Sequence, residues 1–325
     1  MMTKYTKFID EVPTREEALK LLKSSGSDVM ALLYTADMVR EKYCGKELHI
    51  CTLTNAKSGK CSENCKFCAQ SSHYDTNCSE YPMFSVEKIE EEYKRAVESG
   101  AEHFDIVASG RDLKKGTIEF ETIVKFLEGK KGEELKFCIS AGNIGEEEGE
   151  ILKKAGLSRY HNNIQTAPSK YSELVATTHN IKDRIGAIKA AKEAGLEVCS
   201  GGIIGLGESE EDRVEMVFAL KELNVDSIPI NILTPIKGTP LEESSRVNIV
   251  DVLKTIALFR IVLKDKVIKI GAGREKLMKD FMGTLFMAGA NGMLVGGYLT
   301  INGREIEEDR RFIKNIEEIW EKKLK

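Results

Sequence analysis

The sequence predicts an α/β protein: a (β/α)8 TIM-type barrel behind an N-terminal helical extension. Three observations carry this. From residue 47 onward, short apolar runs alternate with helical patterns, and the alternation repeats eight times. Several helical patterns end on glycine just before the next apolar run, as in ESGAE, KKAGL and KEAGL, which is the signal of a left-handed C-cap. The first 45 residues stand outside the alternation and read as helices. A doubly wound open sheet is the structural alternative, and both arrangements place chemistry at the C-terminal ends of the strands.

In the extension, Thr14 with Glu17 forms a capping-box pattern opening TREEALKLLKSS, and VMALLYTADMVREKY follows as a second helix. The strands are then expected at 47–54, 102–109, 135–140, 159–166, 197–205, 227–233, 267–273 and 292–297. Between them fall helices such as SVEKIEEEYKRAVESG, NIVDVLKTIALFRIVL and EKLMKDFMGTLFMAG, and EEDRRFIKNIEEIW closes the chain. The acidic run GEEEGE reads as a solvated helix start, favoured by the helix dipole. No Pro/Gly/Ser linker or low-complexity stretch interrupts the chain. It divides into a helical extension, 1–45, and a barrel, 46–325, within one domain of 325 residues.

A net charge of −4 and a pI of about 5.9 make no electrostatic case for a nucleic-acid or anionic-membrane partner. The N-terminus lacks an apolar signal region and no apolar run is long enough to span a bilayer, so the expectation is a soluble cytoplasmic protein. Its eight cysteines are then reduced, and close cysteine spacing indicates metal binding or catalysis rather than disulfides.

Four cysteines fall in HICTLTNAKSGKCSENCKFC. Cys61-x3-Cys65-x2-Cys68 lies in the loop after the first strand, on the active face of a barrel. Three thiolates in one short loop can hold three corners of a 4Fe–4S cube. The fourth iron then lacks a protein ligand and can chelate the amino and carboxylate groups of S-adenosylmethionine (AdoMet). A zinc site completed by His73 or Cys78 is the competing reading. Order and both gaps match the radical-AdoMet signature, and Phe67 stands where an aromatic residue in that superfamily packs near the adenine. GGIIGLGES looks superficially like a dinucleotide loop, but it follows the fifth strand rather than opening a Rossmann unit. Close backbone approach to AdoMet accounts better for its glycines.

CKFCAQSSHY, EVCSGGIIGLGES, SIPINILTPIKGTPLE, KIGAGREKL and FMAGANGMLVGGYLT closely resemble the biotin synthase family, from about residue 45 to the C-terminal helix. The resemblance implies a radical-AdoMet sulfurtransferase that converts dethiobiotin to biotin. It also implies a homodimer, an electron donor such as flavodoxin or ferredoxin, and a second iron–sulfur cluster deep in the barrel as sulfur donor. The chemistry is radical, so no acid–base residue is assigned. Another barrel-type radical enzyme, a mutase or a hydrogenase-cofactor maturase, is the alternative.

By the same resemblance, Cys138, Cys199 and Arg274 match ligands of the second cluster. The remaining family cysteine falls in the second strand, where this chain has Asp105, a harder ligand that is uncommon on such clusters. Barrel interiors are layered from alternate strands, and the first strand carries Cys51, so Cys51 is expected to replace the missing thiol. The nuclearity of that cluster stays open. Asn163 and Asn231 match asparagines that hydrogen-bond the ureido ring of dethiobiotin, and Asn163 also falls among the AdoMet-site residues. Gln165 stands in place of the family aspartate that binds the AdoMet ribose, and Arg184 matches an arginine near the AdoMet carboxylate. Thr300 is placed by the substrate's carboxylate tail, and His161 is read as structural or as lying behind the site. Cys44 and Cys78 read as ordinary thiols, Cys78 close to the loop cluster.

Overall fold

A computed structural model describes residues 4–300 and 303–321. The strands are β1 (His49–Lys57), β2 (His103–Ala108), β3 (Lys136–Ser140), β4 (Arg159–His161), β5 (Glu197–Cys199), β6 (Gly202–Ile204), β7 (Ser227–Ile232), β8 (Val267–Ile270) and β9 (Gly292–Leu294). All pairings are parallel, and the sheet closes where Cys199 on β5 meets Ser227 on β7. β5 and β6 are two halves of the fifth barrel strand, so an eight-strand (β/α)8 barrel results, as the alternation predicts.

Besides the split fifth strand and a seventh barrel strand that ends at Ile270, two expected elements differ. The fourth strand stops at His161 instead of running to residue 166, and pairing resumes only as an isolated bridge between Gln165, itself left-handed (φ 67°), and Gly202. The expected helix EKLMKDFMGTLFMAG breaks into Arg274–Met278, a 3-10 turn at Lys279–Phe281 and Thr284–Met287. The break falls at Lys279, again left-handed (φ 45°).

The extension folds as read. Thr14 and Glu17 form a complete capping box on the helix Arg15–Leu22, and the helix Ser27–Cys44 follows. The extension answers a need of the barrel. The helix Ile249–Leu263 is buried from Val252 to Leu263, so it has no solvent face, and such a helix must be covered on both sides. The barrel covers one side, and the helices Ser27–Cys44 and Arg15–Leu22 cover the other. Lys264 fastens the arrangement by donating from Nζ to the carbonyls of Phe8, Ile9 and Glu11 at 2.6, 3.1 and 2.9 Å.

The strand register fixes what faces the barrel axis. Cys51 pairs with His103, and His103 with Lys136; two residues further along β3 is Cys138. The same step through Arg159 and Glu197 leads to Cys199, and through Ser227 and Val267 to Lys269. A last step through Gly292 and His49 returns to Cys51. Four steps of two residues close the circuit, which is the stagger of a TIM-type barrel. Cys51, Cys138, Cys199 and Lys269 are therefore one interior layer. Starting from Asp105, the same walk gives the next layer towards the active face: Asp105, His161, Pro229 and Leu294.

Candidate active site

A cavity of about 310 Å3 opens on the C-terminal side of these layers, walled by Cys51, Asp105, Cys138, His161, Asn163 and Asn231 among others. Its depth is chemically stratified. The thiol layer lies lowest, the Asp105–His161 layer above it, the two asparagines higher still, and Phe67 and Cys68 of the cysteine loop also line it.

In the thiol layer, Cys51, Cys138 and Cys199 are buried, as is Lys269. Lys269 Nζ donates to Cys51 Sγ at 3.2 Å. Room for its stem comes from Gly292, where a Cβ would lie 2.7 Å from Lys269 Cγ. Burial alone would discharge the ammonium, but Cys199 and Cys51 outweigh it and hold the lysine pKa above its ordinary value. For Cys199, burial favours the thiol, yet Lys269, His161 and Arg159 bring it below the usual range. Burial keeps Cys51 high, and burial with Asp105 and Cys199 keeps Cys138 well above.

Lys269 takes the place in the layer expected for Arg274, and that expectation is corrected. β8 ends at Ile270, and the chain turns through Gly273 in a left-handed conformation (φ 86°), where a Cβ would lie 2.0 Å from the Ile232 carbonyl. The turn carries Arg274 off the barrel axis. Its guanidinium, fully buried, meets Glu275 at 3.0 Å and Asp309 of the C-terminal helix at 3.5 Å. It also lies over the Tyr298 ring.

Asp105 and His161 read from the sequence as separate departures, yet they are partners. Asp105 Oδ2 accepts from His161 Nδ1 at 2.9 Å, and His161 Nε2 reaches Asn163 Oδ1 at 3.0 Å. Burial opposes charge on this ring, but Cys199 and Asp105 more than offset it and lift its pKa to about 9. Asp105, Cys138 and His161 bring their ligand atoms within 4.8 Å of one another, and Asp105 Oδ1 is a buried acceptor with no partner. His103, below the thiol layer, is buried with neither ring nitrogen bonded, and burial holds its pKa down at about 2.

Asn163 and Asn231 both border the cavity. Their carbonyl oxygens are already bonded to backbone: Gly201 N–H donates to Asn163 Oδ1 and Ala272 N–H to Asn231 Oδ1, each at 2.9 Å. Gln165 lines the cavity with a buried, unpartnered Oε1, and Thr300 stands exposed at its rim. The glycines of GGIIGLGES have a structural reason besides ligand approach. A Cβ at Gly201 would lie 2.0 Å from the Pro229 carbonyl, and one at Gly202 2.5 Å from that of Gln165.

The cysteine loop is held by its own backbone: Cys61 N–H donates to the Gln70 carbonyl at 3.0 Å and Cys68 N–H to that of Cys65 at 3.0 Å. Burial pushes the Cys65 thiol up to about 12 and the Cys68 thiol up to about 11, so a metal would displace protons on binding. Among the described residues, the loop sulfurs are not all within 4.8 Å of one another. His73 is turned to the Ser62 carbonyl at 2.9 Å, and Cys78 lies 3.6 Å from Ser58 Oγ. Cys44 lies away from the loop, against Arg260 at 3.0 Å.

A network missed by the sequence reading backs this loop. Glu63, between the first two loop cysteines, accepts from His179 Nδ1 at 2.7 Å. His179 Nε2 then accepts from Tyr171 OH at 2.8 Å and from Arg184 Nη2 at 3.2 Å, and lies 4.0 Å from Cys65 Sγ. Arg184 also donates to Asn162 Oδ1 at 2.8 Å and to Tyr171 OH at 3.2 Å. Among the described residues it has no carboxylate partner. The CSENC spacing is a signal that could have pointed to Glu63; nothing local pointed to His179.

Residues 56–220 match the radical SAM superfamily, and residues 229–317 match the biotin and thiamin synthesis associated domain. Biotin synthase of Chlorobium limicola is 44% identical over 94% of this chain and 93% of its own length. That of Clostridium acetobutylicum is 43% identical, with 94% and 93% covered. Biotin synthase of Thermotoga neapolitana is 49% identical over 84% of this chain and 97% of its own. Among solved structures, methylornithine synthase superposes with a TM-score of 0.82 at 20% identity, covering 95% of each chain. HydG, a maturase of the [FeFe]-hydrogenase, superposes with a TM-score of 0.81 at 18% identity, covering 97% of this chain and 75% of its own. At those identities the structural neighbours share the barrel; the sequence relatives carry the family.

Proposed function

Since the chain belongs to the biotin synthase family of radical AdoMet enzymes, we propose that its cavity is built to hold dethiobiotin between two iron–sulfur clusters for conversion to biotin. The observation that carries this is the closed layer of Cys51, Cys138, Cys199 and Lys269 beneath two asparagine amides.

The donor sets fit the groups. Cys61, Cys65 and Cys68 would hold the loop cluster. Cys51, Cys138 and Cys199 would hold the second, with Lys269 as counter-charge in the place expected for Arg274; the unpartnered Oδ1 of Asp105 gives a further reason to expect a cation there. When bound, the loop cluster supplies the electron that cleaves AdoMet to methionine and a 5′-deoxyadenosyl radical, and the second cluster supplies sulfur.

The protein's own contribution is placement. Asn163 and Asn231 have spent their carbonyl oxygens on backbone N–H groups, so their amide N–H groups are left for the ring carbonyl of dethiobiotin. Gln165, with its free Oε1, accepts from a ribose hydroxyl of AdoMet, Arg184 meets the AdoMet carboxylate, and Phe67 packs by the adenine. Thr300 at the rim meets the carboxylate tail of the substrate. The apolar wall around them excludes water from the radical's path. The same reading extends to a cytoplasmic homodimer reduced by a flavodoxin or ferredoxin; no helix of the described residues is long and apolar enough to cross a membrane.

Anaerobic incubation of the reconstituted protein with AdoMet, a reductant and dethiobiotin, followed by mass analysis, tests the function. Biotin together with 5′-deoxyadenosine is the expected result. 5′-Deoxyadenosine without biotin would overturn the reading.

A further inference from the structure

Asp105, His161 and Asn163 form a chain of hydrogen bonds that climbs from the layer above the thiols to the substrate layer. Asp105 Oδ2 and Asn163 Oδ1 flank the His161 ring at 2.9 and 3.0 Å. Neither a carboxylate oxygen nor an amide oxygen can donate, so both ring nitrogens carry hydrogen. Gly201 N–H, at 2.9 Å, is the second donor to Asn163 Oδ1. Two donors converging on one atom decide which end of the amide faces the cavity. Asn231, opposite, is fixed the same way by Ala272 N–H. One amide is thus set by backbone alone and the other by backbone and an imidazolium, which itself requires the carboxylate at 105.

We propose that Asp105 and His161 are a positioning pair: the carboxylate holds the imidazolium, and the imidazolium holds Asn163 as a hydrogen-bond donor to the ring carbonyl of the substrate. This rests on the reading of Asn163 as a substrate residue. It makes the pair a specificity device. The site takes a cyclic urea, whose oxygen accepts two amide donors. It rejects the corresponding cyclic guanidinium, which would set N–H against N–H and a second cation beside His161 and Lys269.

The test uses the full chain with both clusters reconstituted, in the presence of AdoMet and without reductant, so that nothing turns over. Equilibrium binding of dethiobiotin and of its cyclic guanidine analogue is measured alongside iron content. His161→Phe is expected to weaken dethiobiotin binding about tenfold or more and to shrink the preference over the analogue, with iron content unchanged. His161→Gln, whose amide nitrogen reaches the Nε2 position, should bind within about threefold of the parent. Unaltered binding by His161→Phe, or no rescue by His161→Gln, overturns the proposal. So does loss of the second cluster in His161→Phe, because the ring would then serve the cluster rather than the amide. Asn163→Ala separates the two claims. If it binds dethiobiotin normally, the substrate reading of Asn163 has failed and the pair falls with it. If it loses affinity while His161→Phe does not, the pair alone is wrong.

Discussion

Lys269 Nζ lies 3.2 Å from Cys51 Sγ, across the width of β9 that separates their strands. The contact joins the one thiol that the family pattern does not supply to the one cation it does not name. A buried ammonium without a carboxylate partner is costly unless something else provides negative charge. The thiol layer does so: Cys199 and Cys51 keep Lys269 charged, and Lys269 in turn draws Cys199 below the ordinary thiol range.

Lys269→Met is therefore expected to impair assembly of the second cluster while sparing the first. Iron and sulfide per chain should fall by the second cluster's share, and the low-temperature EPR signal of the reduced loop cluster should persist. Lys269→Arg, which keeps the charge, should assemble both. Full loading of the methionine variant would show that the lysine is a spectator.

Cys51→Ala should remove the absorption of the second cluster and leave the loop cluster intact, whereas Cys61→Ala should do the reverse. The layer geometry makes this a sharp comparison, because the two cysteines are ten residues apart in sequence, yet Cys51 belongs to the buried thiol layer and Cys61 to the cysteine loop whose Cys68 lines the cavity. Two intact clusters in Cys51→Ala would return that residue to the role of a small buried hydrophobe.

Much of this was legible in the sequence, and the failures have physical reasons. Eight alternations and their glycine caps were enough for the barrel, and layering was enough to bring Cys51 to Cys138 and Cys199. Lys269 was legible too, since it alternates with the apolar, buried Ile268 and Ile270, but the resemblance pointed to Arg274 five residues on. The pairing of Asp105 with His161 was not legible. It depends on register across β2, β3 and β4, and a single sequence does not state register. The left-handed backbone at Gln165 was equally hidden, because it carries no local signal in the sequence.

Arg184 is a half-buried guanidinium lacking a carboxylate among the described residues, with His179 and Tyr171 holding it beside Cys65. Arg184→Met is expected to weaken AdoMet binding by about 10- to 100-fold, or about 1.4–2.8 kcal/mol. His179→Phe, which removes the acceptor on Arg184 Nη2 but fills the space, should lose about tenfold, and Glu63→Gln less, since a neutral amide still accepts from Nδ1. Titration of AdoMet against the EPR spectrum of the reduced loop cluster reads this directly. Equal affinities in all three variants would mean that the AdoMet carboxylate is met elsewhere.

Arg274 is expected to matter for stability and not for iron. Both it and Asp309 are almost wholly buried, and they join the turn after β8 to the C-terminal helix Ile306–Glu321. Arg274→Met would leave Asp309 buried with Arg304, 3.8 Å away, as its one ion-pair partner among the described residues, and breaking such a pair from one side costs about 3–5 kcal/mol. Asp309→Leu alone should cost less, because Glu275 at 3.0 Å still pairs the guanidinium. The double variant should recover a large part of the loss, because two partners in contact are not additive and an apolar pair strands no charge. Thermal unfolding of the three variants, with iron content measured on the same samples, distinguishes the two assignments. A cluster ligand would lose iron in Arg274→Met and gain nothing from the second substitution; a buried strut between turn and helix would keep its iron and regain its stability.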